Sequence, residues 1–174
     1  MLSMKLMRLI ERHSEDLSRE LATQIRHSDR TSDFRKIAPQ KLQLAAVEVY
    51  RNLGEWLLQK TEGDIAGRFR TIAAQHAAEG IGLAQFVWAL TLTRDHLLQF
   101  LRREALADSI VQLHGELELH QLLNQFFDRA IYYAIQGYET TPEGSFKRPD
   151  RLQELAVSVG LISASNITSK SVED

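Results

Sequence analysis

The chain has no cysteine. That excludes disulfides, thiol nucleophiles and thiolate metal sites. Proline occurs only at positions 39, 142 and 149, which leaves the span between the first two free of helix breakers of that kind. Neither sign of charge dominates, with 21 basic and 23 acidic residues and a formal net charge of -2. No basic excess argues for nucleic acid, and no acidic excess for a solvating tail. Long apolar runs are missing too, and no window approaches the roughly 18 uncharged apolar residues of a membrane span. The start, MLSMKLMRLIERHSEDL, has charges every few residues and lacks the ~7–15-residue apolar stretch of a secretory signal. A cytoplasmic setting of bacterial or archaeal style is expected, with no nucleic acid and no membrane.

What is present suits one folded domain. The 174 residues are 44% hydrophobic and 25% charged, enough for a proper core. Leu6, Ile10, His13, Leu17, Leu21 and Ile25 step by three or four, which predicts one amphipathic helix from about Ser3 to His27. A polar break over 28–37 follows, and Pro39 suits the first turn of a second helix running to about Lys60. Asp64 is the expected N-cap of a third, ended by Gly80 and Gly82. A fourth is expected from Leu83 to Arg103. A fifth starts at Asp108 or Ser109, continues to Gly137, and would be about 45 Å long. No segment alternates as a strand should. The expected fold is therefore all-α, about five main helices plus a short C-terminal one. Residues 1–139 would form the domain, and 140–174 a linker, a short helix over 150–159 and a mobile tail.

The fifth helix is apolar on two sides. Leu113, Leu117, Phe127, Ile131 and Ala134 make one stripe, and Leu119, Leu122, Leu123, Phe126, Ala130 and Tyr133 a second. A surface helix needs only one such stripe. Leaving several Leu and Phe side chains in water would forfeit many kcal/mol at about 25 cal/mol per Å2. Either this helix is central in its own domain or one face meets another subunit, with Leu119, Leu123, Phe126, Phe127, Ala130 and Tyr133 at the packing surface. A twofold axis makes one such surface complement itself, so a homodimer is expected.

The run FFDRAIYYAIQGYE at 126–139 resembles the end of the N-terminal sensor domain of RsbT co-antagonist proteins, the RsbR/RsbRD type of the stressosome. RNLGEWL at 51–57, AAEGIGL at 77–83 and LTLTRDHLLQFLRRE at 90–104 add to the resemblance, which spans most of residues 8–139. It implies a globin-like fold, generally without haem, dimerisation through the last long helices, and bacterial stress-response signalling with a protein partner. Family members usually carry a second, signalling domain afterwards, where this chain has residues 140–174. His76 stands where the family pattern more often has arginine.

Candidate chemistry is sparse. His76, late in the third helix, is the residue a haem would use, since neutral imidazole is a common axial ligand; its plain reading is a histidine at a helix C-terminus. His96, beside Arg94 and Asp95, reads as a solvated or interface pair. HGELELH at 114–120 pairs His114 with Glu118 and Glu116 with His120 on faces about 160 degrees apart, so one ion cannot gather them without a second subunit. No metal site is expected. Nucleophile elbows and phosphate loops are absent, so no enzyme is expected. Arg94, Asp95, Asp128 and Arg129 sit in apolar runs, where charges are costly unless paired; ion pairs between the fourth and fifth helices, or across a dimer, are expected.

The leading reading is a non-enzymatic sensory or regulatory domain that takes a small apolar ligand among Trp56, Phe69, His76, Phe86 and Leu90. No cofactor is expected in it. The alternatives are a haem-binding gas or redox sensor on His76 and a ligand-free helical adaptor.

Overall fold

The computed structural model describes residues 2–104 and 110–141, all within one compact unit, Met1–Gly144. The described residues form an all-α bundle. The helices are α1 (Leu2–Arg12), α2 (Ser14–His27), α3 (Pro39–Arg51), α4 (Leu53–Leu58), α5 (Glu62–Ala78), α6 (Leu83–Glu104) and α7 (Ile110–Glu139). A 3-10 segment, Asp29–Lys36, joins α2 to α3. The expected linker, short helix and tail after residue 141 lie outside the described residues.

Two expected helices are each broken once. The first gives way at His13, where φ is -94° and ψ 11°, although the His13 amide still donates to the Leu9 carbonyl and the Leu17 amide to that of His13. His13 is exposed there, its ring 5.7 Å from that of Phe100. The second breaks at Asn52, where φ is -110° and ψ 19° and the side-chain amide donates to the Glu48 carbonyl. The polar break over 28–37 is also structured. Thr31 and Phe34 are buried in it, and the Thr31 hydroxyl donates to the Ile25 carbonyl.

The boundaries of α5 are locally encoded. Thr61, not Asp64, is the N-cap, and the two form a reciprocal capping box. At the other end Gly80 has φ +74°. Its amide bonds to the Ala77 carbonyl and that of Ile81 to His76, with Ile81 buried. This is the Schellman arrangement, which needs a residue without Cβ strain at its left-handed position. Asp33 of the 3-10 segment accepts from the Gly82 amide, and Lys36 donates to Gly80 and Asp33. The α5–α6 turn is thereby tied down.

α7 runs through the centre, packed on α1, α4, α5 and α6. Leu119, Leu123, Phe126, Phe127 and Ala130 are buried, and Tyr133 is half-buried with its hydroxyl donating to Glu62. Much of the burial that two apolar stripes require is thus supplied within one chain. Leu117 and Tyr132 remain exposed on α7, spaced among Gln121, Asn124, Gln125 and Asp128. α5 and α7 come close at Gly137, where an added Cβ would lie 2.7 Å from Ala73 Cβ and 2.8 Å from the Arg70 carbonyl oxygen.

Candidate functional site

A cavity of about 340 Å3 opens between α3 and α5 and is floored by α2, α6 and α7. These two helices pack mainly on other neighbours, α3 on α2 and α5 on α7, so a slot remains between them. Small side chains keep it open: Ala22, Ala45, Ala46 and Ala89 all line it. Aromatic rings supply much of the wall. Phe69 and Phe126 meet edge-to-face at 5.7 Å, as do Phe126 and Phe127 at 5.2 Å. His76 stands edge-on to Phe34 at 5.4 Å and to Phe86 at 4.8 Å. Such rings offer large apolar faces with a preference for flat partners.

Two ion pairs tie α3 to α5 and to the residue just after it, and Lys41, Glu48 and Arg68 of these pairs line the cavity. Arg68 on α5 places Nη2 2.7 Å from Glu48 on α3. One end further, Lys41 of α3 pairs with Glu79, which also receives Gln75 and lies 3.1 Å from His76 Nδ1. Burial raises the Glu79 carboxyl, but hydrogen bonds from Lys41, His76 and Gln75 outweigh it and hold the group below its ordinary range. Burial pushes His76 down, against the pull of Glu79, so its ring is neutral near pH 7. Charge along these pairs is therefore balanced. One donor stands apart from this balance: Arg68 Nε is buried and has no protein hydrogen-bond partner.

Of the five expected pocket residues, Phe69, His76, Phe86 and Leu90 line the cavity. Trp56 does not. The break at Asn52 separates α4 from α3, and the Trp56 ring packs on Phe126 at 6.2 Å with Lys60 and Arg68 near its face. The α3 wall and Arg68 were not anticipated. Their available signal was LAAVE at 44–48, small residues inside an amphipathic stripe, which thin a wall where bulk is usual.

The charged residues are partly brought together. Arg94 Nη1 on α6 lies 3.6 Å from Asp128 on α7 and its Nε 3.5 Å from Asp95. Arg129 pairs with Glu62 of α5 at 3.4 Å. His96 is not solvated: it is buried, with Nε2 3.3 Å from Glu20 and Nδ1 3.5 Å from the hydroxyl of the fully buried Tyr50. His114 and Glu118 are exposed, Glu116 and His120 half-buried. Among the described residues no three His, Asp or Glu side chains converge as a metal site would require.

Haem does not fit this cavity. A cavity of about 150 Å3 takes one benzene, so 340 Å3 takes little more than two such rings, far less than a porphyrin with its propionates. The His76 ring is also flanked on its edges by Phe34 and Phe86. No helix among the described residues is long and apolar enough to cross a membrane. Comparison with protein-family models, curated proteins and solved structures finds no match.

Proposed function

We propose that the chain is a non-enzymatic, globin-like sensory or regulatory domain whose input is a small apolar ligand held between α3 and α5. The observation that carries this reading is the aromatic-walled cavity, which falls in the ~300–1,000 Å3 range of small-molecule pockets. The resemblance to the RsbT co-antagonist sensor domains supplies the context: bacterial cytoplasmic stress signalling through a protein partner. It also assigns dimerisation to the last helices. The surface left for that is the outward stripe of α7 from Leu117 to Tyr132, because the more apolar positions are covered by the chain itself.

Ligand binding to the folded state alone raises Tm in proportion to the logarithm of ligand concentration. Naphthalene is expected to give a saturable rise, abolished by Ala46→Phe, which fills the cavity from α3 while leaving the unliganded protein at least as stable. No rise, or an equal rise in the filled variant, sinks the reading. Native mass spectrometry of the purified chain decides the dimer separately.

A further inference from the structure

We infer that His96 is a proton-operated latch: its neutral ring holds α3 against α6 through Tyr50, and protonation releases α3. The latch is a short hydrogen-bond chain through three helices. His96 on α6 is buried, with Nε2 3.3 Å from Glu20 of α2 and Nδ1 3.5 Å from the Tyr50 hydroxyl of α3. A carboxylate only accepts, so Nε2 carries the hydrogen and donates to Glu20. Nδ1 is then the acceptor, and the Tyr50 hydroxyl donates to it. That hydroxyl has no other hydrogen-bond partner among the described residues, and Tyr50 is fully buried. Burial, with Glu20 adding to it, keeps the tyrosine protonated.

Proton uptake by His96 puts a second hydrogen on Nδ1. The ring then donates to the Tyr50 oxygen, and the tyrosine's own hydrogen is left in the interior without an acceptor, which is costly. α3 has little to set against that loss. It has no side-chain cap and buries only Leu42, Val47 and Tyr50. It packs mainly on α2, so the Tyr50–His96 contact is its tie to α6. α3 is also a wall of the cavity, and proton uptake loosens that wall; the latch itself needs no ligand. The charges acting on His96 are Glu20 from α2 and Arg103 from its own helix, while α3 brings the uncharged Tyr50. Burial holds the ring below its ordinary 6.5, Glu20 pulls it up, and Arg103 pushes it down. With α3 released the ring returns towards its ordinary value and binds the proton more readily, so release is favoured as pH falls.

Native-state hydrogen exchange on α3, read as protection factors beside the NMR titration of the His96 ring, tests this. Between about pH 7.5 and about pH 5.5, α3 protection is expected to fall about three- to tenfold, the scale of one hydrogen bond, in step with the His96 titration. His96→Gln should remove most of that fall. Glu20→Gln keeps an acceptor for Nε2 but withdraws the charge, and should move the fall to lower pH. Arg103→Gln should move it to higher pH. Both of these side chains are mostly exposed, so the two charge variants decide the matter if His96→Gln does not fold. Protection of α3 that stays level across the range, or falls equally in His96→Gln, overturns the latch. So does a fall that neither charge variant moves.

Discussion

Gly137→Ala tests the packing that holds the site. The new Cβ would lie 2.7 Å from Ala73 Cβ, 2.8 Å from the Arg70 carbonyl oxygen and 2.9 Å from Arg70 Cα. Two of those three atoms are backbone, so no rotamer change relieves the overlap. α5 and α7 must separate by about 0.7 Å to restore ordinary contact, in an interior packed like a crystal. Overpacking of this kind costs about 2–3 kcal/mol, and the better helix propensity of alanine returns about 1 kcal/mol. The net loss is about 1–2 kcal/mol, a Tm fall of roughly 2–8 °C. Gly67→Ala is the control. It sits exposed within α5 with nothing within 4 Å of the added Cβ, so only the propensity gain remains, and Tm should rise by about 2–4 °C. Thermal unfolding by circular dichroism reads both. A Gly137→Ala protein as stable as the parent would refute the close α5–α7 contact.

Acid should destabilise the fold in two stages. Burial holds His76, His96 and His120 below their ordinary 6.5, so below that value the unfolded chain binds more protons and stability falls with pH. Tm is expected to be flat above about pH 7 and to decline below about 6.5, more shallowly in His76→Gln. The low carboxyls of Asp33, Asp64 and Glu79 add loss of the same sign in more acid solution, and a Tm that rises on acidification contradicts both stages. Thr61→Ala removes the capping box and should cost about 1 kcal/mol in chemical unfolding; no change would mean that α5 starts elsewhere. For Arg94 and Asp128, 3.6 Å apart with the aspartate mostly exposed, a double-mutant cycle should give a coupling below about 1 kcal/mol, and a value several times larger would show a buried pair.

The helix count was legible only where punctuation is chemical. Gly80 and Pro39 mark their boundaries because one removes Cβ strain and the other fixes φ. The breaks at His13 and Asn52 carry no such mark. Each falls inside a continuous apolar stripe, and only the packing of α1 and α4 on α7 distinguishes a bent rod from a straight one. The capping box is encoded as T-x-x-D, but Asp64 beside Gly63 is itself a good N-cap by residue type, so composition alone does not choose between it and Thr61. In the site, large apolar residues such as Phe69 and Phe86 could be placed inward from periodicity. The alanines that create the space could not, because a small residue contributes weakly to any stripe. Arg68 was hidden for a related reason. A cation within RFR reads as solvated face, and its burial depends on Trp56 and α3, both distant in sequence.

The same distribution of contacts ranks the walls of the cavity by local stability. α5 has a capping box, a Schellman end and its closest partner in α7. α3 has no side-chain cap, buries only Leu42, Val47 and Tyr50, and exposes Leu44. It is held to α5 by the Arg68–Glu48 bridge, and its Lys41 reaches Glu79 just past the end of α5; exposed pairs of this kind contribute about 0–1 kcal/mol each. Local opening follows the sparsest burial, so α3 is the wall that yields. Native-state hydrogen exchange should find α3 amides exchanging through an opening smaller than global unfolding, while the middle of α7, around Leu123 to Ala130, exchanges only with it. Glu48→Gln should speed α3 further and leave α7 unchanged. If α3 is protected as fully as α7, the slot is not a seam in the bundle, and a ligand would have to enter by another route than between α3 and α5.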